Sequence, residues 1–169
     1  MRKSWLGRTG EESVAVLINA EIDKLLETTS RSFYPTLKYL PKKIRGQIGL
    51  LYLLARLADT IADSKHGETD VLLDLLSKYN DVAQGRTTKL PDFTDLAEIQ
   101  TNPHEAELLL NAKDVLEGLS EYEEGDRQRI LECLEIIVGG QVLDLQRFGP
   151  AKITQSEDVN LRRSSGGTY

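Results

Sequence analysis

The sequence is poor in residues that staple a fold or grip a soft metal. It has one cysteine, Cys133, and two histidines, His66 and His104. One thiol cannot close an intrachain disulfide or build a cysteine-rich zinc site. Cys133 lies in Ile130-Leu131-Glu132-Cys133-Leu134, where a buried small hydrophobe is the expectation and a nucleophile the alternative. The histidines are far apart, near expected helix ends, and neither has a second ligand at helical spacing, so surface or capping roles are expected. Long apolar runs are missing as well. Nothing reaches the roughly 20 apolar residues that a membrane span needs. Residues 1–10 carry Arg2, Lys3 and Arg8 but no signal-peptide core follows them. The expectation is a cytoplasmic chain, with contact to a membrane surface left open. Positive charge is in deficit: 21 Lys and Arg stand against 27 Asp and Glu, for a formal net charge of −6. That balance argues against nucleic acid as a partner, because phosphate backbones need a cationic surface. It leaves room for a small anion held by a few local cations.

What is present is apolar content in a helical rhythm. The 169 residues are 40% hydrophobic and 28% charged, enough for a core, and the length suits one domain or a piece of a larger one. Residues 11–28 set Val14, Leu17, Ile18, Ile22, Leu25 and Leu26 at spacings of three and four. A short second helix is expected over residues 33–40. Pro41 suits the first turn of a third helix that runs to Ser64 and stops at His66-Gly67. A fourth helix is expected over residues 71–83, closed by Gly85. Residues 86–101 are polar, contain Pro91, and read as a loop with at most a short helix. Asn102-Pro103 is a helix start, opening a fifth helix over residues 103–119. A sixth covers residues 125–148, stopped by Gly149-Pro150. No β-type alternation, internal repeat or low-complexity tract appears. The expected organisation is a tail at residues 1–10, an all-α helical domain over residues 11–159, and a disordered tail at residues 160–169.

The third helix carries an anomaly. With Tyr52 at zero and about 100° per residue, Arg56 falls near 40°, Asp59 near −20°, and Asp63 and Arg45 near 20°. These five polar residues thus share an arc of roughly 60° on a helix whose other positions are mostly apolar. The expectation is a helix buried all round, in which charges must be paired or hold an ion. One reading is a salt-bridged stripe, with Arg56 paired to Asp59 or Asp63. The other starts from the two carboxylates at i,i+4, roughly 6 Å apart, which repel unless a cation sits between them. Hard oxygen ligands suit Mg²⁺, which binds through one or two carboxylates plus substrate phosphates. A neighbouring arginine could then hold the phosphate. On the sixth helix, Gln141 and Asp144 share one face with Ile137 and Phe148, and either point into a cavity or bond a neighbouring helix. The pair Gly139-Gly140 costs a helix about 1 kcal/mol each, to be explained by close packing, ligand approach or a kink.

Ser30-Arg31-Ser32-Phe33 lies upstream of this stripe, and the spacing YxxxRxxDxxxD appears as Tyr52, Arg56, Asp59 and Asp63. Together these resemble the N-terminal signature of the squalene/phytoene synthase family. The segment from Gly140 to Phe148, GQVLDLQRF, resembles the GQxLDLxRF of bacterial members and favours a squalene-type product. The resemblance implies an isoprenoid-synthase-type bundle around a deep apolar cavity. It implies Mg²⁺-dependent, head-to-head condensation of two prenyl diphosphates, farnesyl diphosphate favoured. By match, Asp59 and Asp63 would bind Mg²⁺ and act in catalysis with Arg56 and Tyr52. Ser30, Arg31, Ser32 and Arg56 would hold diphosphate oxygens, Phe33 and Tyr52 would line the cavity near a carbocation, and Gln141 and Asp144 would face the substrate. NADPH would be implied only if the full enzyme makes squalene, and no GxGxxG fingerprint is present.

The resemblance also implies a second aspartate-rich motif on a later helix, preceded by a tyrosine and Val-Ala-Gly. The Val-Ala-Gly segment has no match here, and a single DxxxD, at Asp59 and Asp63, is the expectation. The chain is therefore expected to be truncated on its C-terminal side, by frameshift, stop or excision, and inactive alone. The alternative is a non-catalytic helical remnant, or a subunit that oligomerises through exposed apolar surface or needs a partner.

Overall fold

The computed structural model describes residues 15–64 and 68–148, and within them every regular element is helical. The first helix, α1 (Ala20–Thr29), begins where Asn19 folds its side chain over the free N–H groups of Glu21 and Ile22, at 2.9 and 3.3 Å. Asp23 reinforces this start by accepting from the backbone N–H groups of Val16 and Leu17, each at 2.8 Å. Residues 15–19 are therefore not helical, although their apolar spacing predicted it. Side-chain oxygens that bond nearby backbone compete with helix extension and here they win. Residues 11–14 and both expected tails lie outside the described residues.

A single turn, α2 (Tyr34–Leu37), leads into the central helix α3 (Lys42–Ala62), with Pro41 at its N-cap. α3 buries Leu50, Leu53, Leu54, Leu57, Ala58 and Ile61. α4 (Thr69–Ala83) packs across it and buries Leu72, Leu76 and Tyr79. The Tyr79 hydroxyl, fully buried, donates to the Leu54 carbonyl at 2.8 Å, and burial pushes its pKa far up. Gly85 then turns the chain with φ of 79°, as its position after the fourth helix predicted. The polar stretch contains the short α5 (Thr94–Glu98).

The fifth helix is not continuous. It divides into α6 (Pro103–Leu110) and α7 (Ala112–Glu117), followed by a 3-10 turn, Gly118–Glu121. Asn111 sits at the break with ψ of 17° and donates from its side chain to the Glu107 carbonyl. The last helix, α8 (Glu124–Phe148), lies along α3 and runs the same way: Gln47 meets Asp126 at one end, and Asp59 meets Gln141 at the other.

α8 buries only Ile130, Leu134 and Val138. Cys133 falls outside that stripe and is exposed, against the expectation of a buried thiol. Gly139 and Gly140 have nothing within 4 Å of where a side chain would begin, so close helix packing does not explain them. α3 is likewise not buried all round, because Asp59 and Asp63 both reach solvent. Among the described residues no helix is long and apolar enough to cross a membrane.

Candidate diphosphate and metal site

The four residues of the YxxxRxxDxxxD spacing line one side of α3, and the structure sorts what surrounds them. Phe33, just before α2, stacks on Tyr52 with ring centroids 4.6 Å apart and planes at 29°. The expected pairing of these aromatics is present. Arg45 does not join the stripe. Its guanidinium turns back to the carbonyls of Lys38 and Leu40, with Nη2 at 2.8 and 2.9 Å, and ties the α2–α3 turn. An arginine one turn into a helix finds unsatisfied carbonyls in the preceding loop closer than any carboxylate.

Arg56 pairs with neither aspartate. It donates from Nη2 to Glu105 Oε1 of α6 at 2.8 Å, both side chains half-buried. The intrahelical salt-bridged stripe is thus overturned in favour of an interhelical one. Arg56 Nε stays buried without a partner. Glu105 is the functional neighbour that sequence reasoning missed. In sequence it is an acid in the first turn after Asn102-Pro103, which favours a helix N-terminus wherever the helix points.

Asp59 accepts a hydrogen bond from Gln141 Nε2 across the α3–α8 contact. Gln141 therefore faces the site, and its Oε1 is buried without a partner. Asp144 is exposed further along α8 and does not reach the cluster. The Asp59 carboxyl is held above its ordinary range, first by desolvation between the helices and then by the charge of Asp63, with Glu105 adding to it; Gln141 and Arg56 oppose the shift. Asp63 caps α3, its N–H donating to the Asp59 carbonyl at 2.8 Å, and its side chain stays exposed. No arginine or lysine salt-bridges either carboxylate among the described residues.

The Ser30–Phe33 segment divides. Ser30 is buried, donates its hydroxyl to the Leu26 carbonyl, and offers its own carbonyl to the N–H groups of Phe33 and Tyr34. It shapes the turn that presents Phe33. Arg31 and Ser32 are exposed. Nearer the start of α3 an open groove of about 380 Å³ runs between α3 and α8, lined by Ile44, Gln47, Ile48, Leu51, Ile130 and Cys133 and by the charged Asp126 and Arg129. None of Tyr52, Arg56, Asp59 and Asp63 lines this open trough.

Residues 26–156 match the model of a known family, squalene/phytoene synthase. The chain belongs to the squalene/phytoene synthase family. A squalene synthase of Saccharomyces cerevisiae is 38% identical over 58 residues, which are 34% of this chain and 13% of the yeast protein. The chain thus matches only a small part of that relative's length. No solved structure matches the chain. Squalene/phytoene synthase membership agrees with the all-helical architecture.

The expectation of a single DxxxD needs correction. The sequence does hold a second DxxxD, Asp70-Val71-Leu72-Leu73-Asp74, in the first turns of α4. Both acids are exposed, and Asp74 pairs with Lys78 at 2.8 Å. No group of three acidic, histidine or cysteine side chains able to hold a metal forms among the described residues, so this pair does not join Asp59 and Asp63.

Proposed function

We propose that the α3 stripe is one wall of a Mg²⁺–diphosphate site in a prenyltransferase that condenses two prenyl diphosphates head to head, farnesyl diphosphate favoured. The observation that supports this is the pairing pattern. Among the described residues no lysine or arginine salt-bridges Asp59 or Asp63, the charge of Asp63 acts on Asp59, and the nearest arginine of the stripe pairs with Glu105. Two unneutralised carboxylates on one helix face, with an acid whose affinity for protons is raised by its neighbour, fit a hard divalent cation. When bound, Mg²⁺ would supply charge neutralisation to the departing diphosphate.

The protein groups have separable tasks in this reading. Asp59 and Asp63 bind the cation. Gln141 fixes the Asp59 carboxylate against α8. Glu105 holds Arg56 over the stripe, with the free Nε directed to diphosphate oxygens. The stacked faces of Phe33 and Tyr52 stabilise positive charge on the allylic carbon. The open groove accepts prenyl tails.

The test is calorimetric titration of the purified chain with a non-hydrolysable farnesyl diphosphate analogue, with and without Mg²⁺. Binding is expected only with Mg²⁺. It is expected to vanish in Asp59→Asn/Asp63→Asn and to weaken roughly tenfold or more in Glu105→Gln, which leaves Arg56 misplaced. Metal-independent binding, or full binding by the double variant, would refute the reading.

A second reading is a helical subunit that acts through a partner chain. It is favoured by the apolar residues α8 shows to solvent, Ile136 at 76% and Leu143 at 50% exposed.

A further inference from the structure

Charge is segregated along this chain beyond what the site accounts for. Residues 28–58 contain no Asp or Glu, although the chain has 27 of them, and they hold Arg31, Lys38, Lys42, Lys43, Arg45 and Arg56. Arg45 and Arg56 are engaged, in the α2–α3 turn and with Glu105. Arg31, Lys38, Lys42 and Lys43 are all exposed, and among the described residues no ion pair engages them. They cluster in sequence where α1 gives way to α2 and α2 to α3.

At that corner Tyr39 is 90% exposed, and Ile44, in the first turn of α3, is 43% exposed. The turn is not frayed. Arg45 locks it with bonds to the Lys38 and Leu40 carbonyls on either side of Tyr39, at 2.8 and 2.9 Å. Ile44 is also part of the groove between α3 and α8, whose lining is mostly apolar but includes Gln47, Asp126 and Arg129, so the groove opens beside the basic corner.

We propose that this corner is a docking face for an anionic lipid surface. Tyrosine suits a membrane–water interface, with an apolar ring and a hydroxyl that stays hydrated. Each lysine or arginine held against an anionic bilayer raises partitioning about fivefold. The chain as a whole is repelled by such a surface, so the local cations also fix its orientation, basic corner inward. Acids approach α3 from the following elements: Asp126 accepts from Gln47, and Tyr122, between Glu121 and Glu123, lies against Gly46. These meet α3 one turn beyond Lys42 and Lys43, and Asp126 lines the groove with Ile44. The four cations are exposed and, among the described residues, unpaired, which suits a diffuse headgroup layer better than a single anion. In this orientation the groove faces the bilayer, where apolar molecules can pass between the two.

Flotation of the purified chain with vesicles tests the proposal. Binding is expected to vesicles of phosphatidylcholine mixed with phosphatidylglycerol, to fall with added salt, and to be absent with phosphatidylcholine alone. Lys42→Glu/Lys43→Glu is expected to weaken it at least roughly 20-fold, and Tyr39→Ser several-fold, while Lys89→Glu/Lys113→Glu leaves it unchanged. Circular dichroism checks each fold, and Lys38→Gln/Lys42→Gln serves if charge reversal unfolds the chain. Inorganic diphosphate at matched ionic strength should not displace the protein. Equal binding to neutral vesicles, no loss in the lysine variants, or displacement by diphosphate would overturn the proposal.

Discussion

Asp59 receives opposed influences at one carboxylate: Gln141 and Arg56 favour its charge, while burial, Asp63 and Glu105 oppose it, and opposition wins. A raised carboxyl pKa means that the folded protein holds the proton more tightly than the unfolded chain. Between the ordinary carboxyl value of 3.8 and the raised folded value, stability therefore falls as pH rises and returns as pH falls. Asp59→Asn removes that dependence. Without metal it should be more stable than the parent at neutral pH, with the gap closing as pH drops towards 4, measured by urea denaturation across the range. Mg²⁺ should stabilise the parent and not the variant. Equal stability of the two proteins at all pH values would contradict the assignment. At this scale the helical period drew Tyr52, Arg56, Asp59 and Asp63 together with Arg45, and the resemblance proposed roles for the first four. The sequence could not name Glu105, which lies on another helix, nor show that Arg45 turns away, because both depend on where a neighbouring element ends.

At the scale of elements, apolar period located α3, α4 and α8 to within a few residues. It overran at the short second helix, which is one turn, Tyr34–Leu37, and in two places where polar side chains bond nearby backbone. Asn19 and Asp23 start α1 late, and Asn111 breaks the fifth helix. Both are local contests that a hydrophobic count does not register. Glycines separate the packed from the open helix faces. A Cβ at Gly49 would sit 2.9 Å from Val16 and 3.0 Å from Leu26, whereas one at Gly139 meets nothing within 4 Å. Gly49→Ala is expected to destabilise by about 1–3 kcal/mol through overpacking. Gly139→Ala should stabilise by about 1 kcal/mol through helix propensity alone. Thermal or urea denaturation reads both, and the same sign for the two would show that the α1–α3 contact is looser than described.

At the scale of the molecule, α8 is the unfinished surface. It packs on α3 and α4 through three buried residues and presents Ile136, Leu143 and Phe148 to solvent. The chain is expected to elute in size exclusion above its monomer mass of 18.9 kDa, and Ile136→Ser/Leu143→Ser should shift it towards monomer. A parent that elutes as a monomer would remove the support for association through this face. The sequence by itself determined the helical class, the family and the DxxxD stripe, because period and spacing are properties of one helix. Only the tertiary structure decided which partner each charge takes. Arg56 goes to α6, Asp59 to α8 and Arg45 to a loop, since a buried or half-buried charge bonds whatever lies within about 3 Å in space, and the order of residues along the chain does not fix that distance.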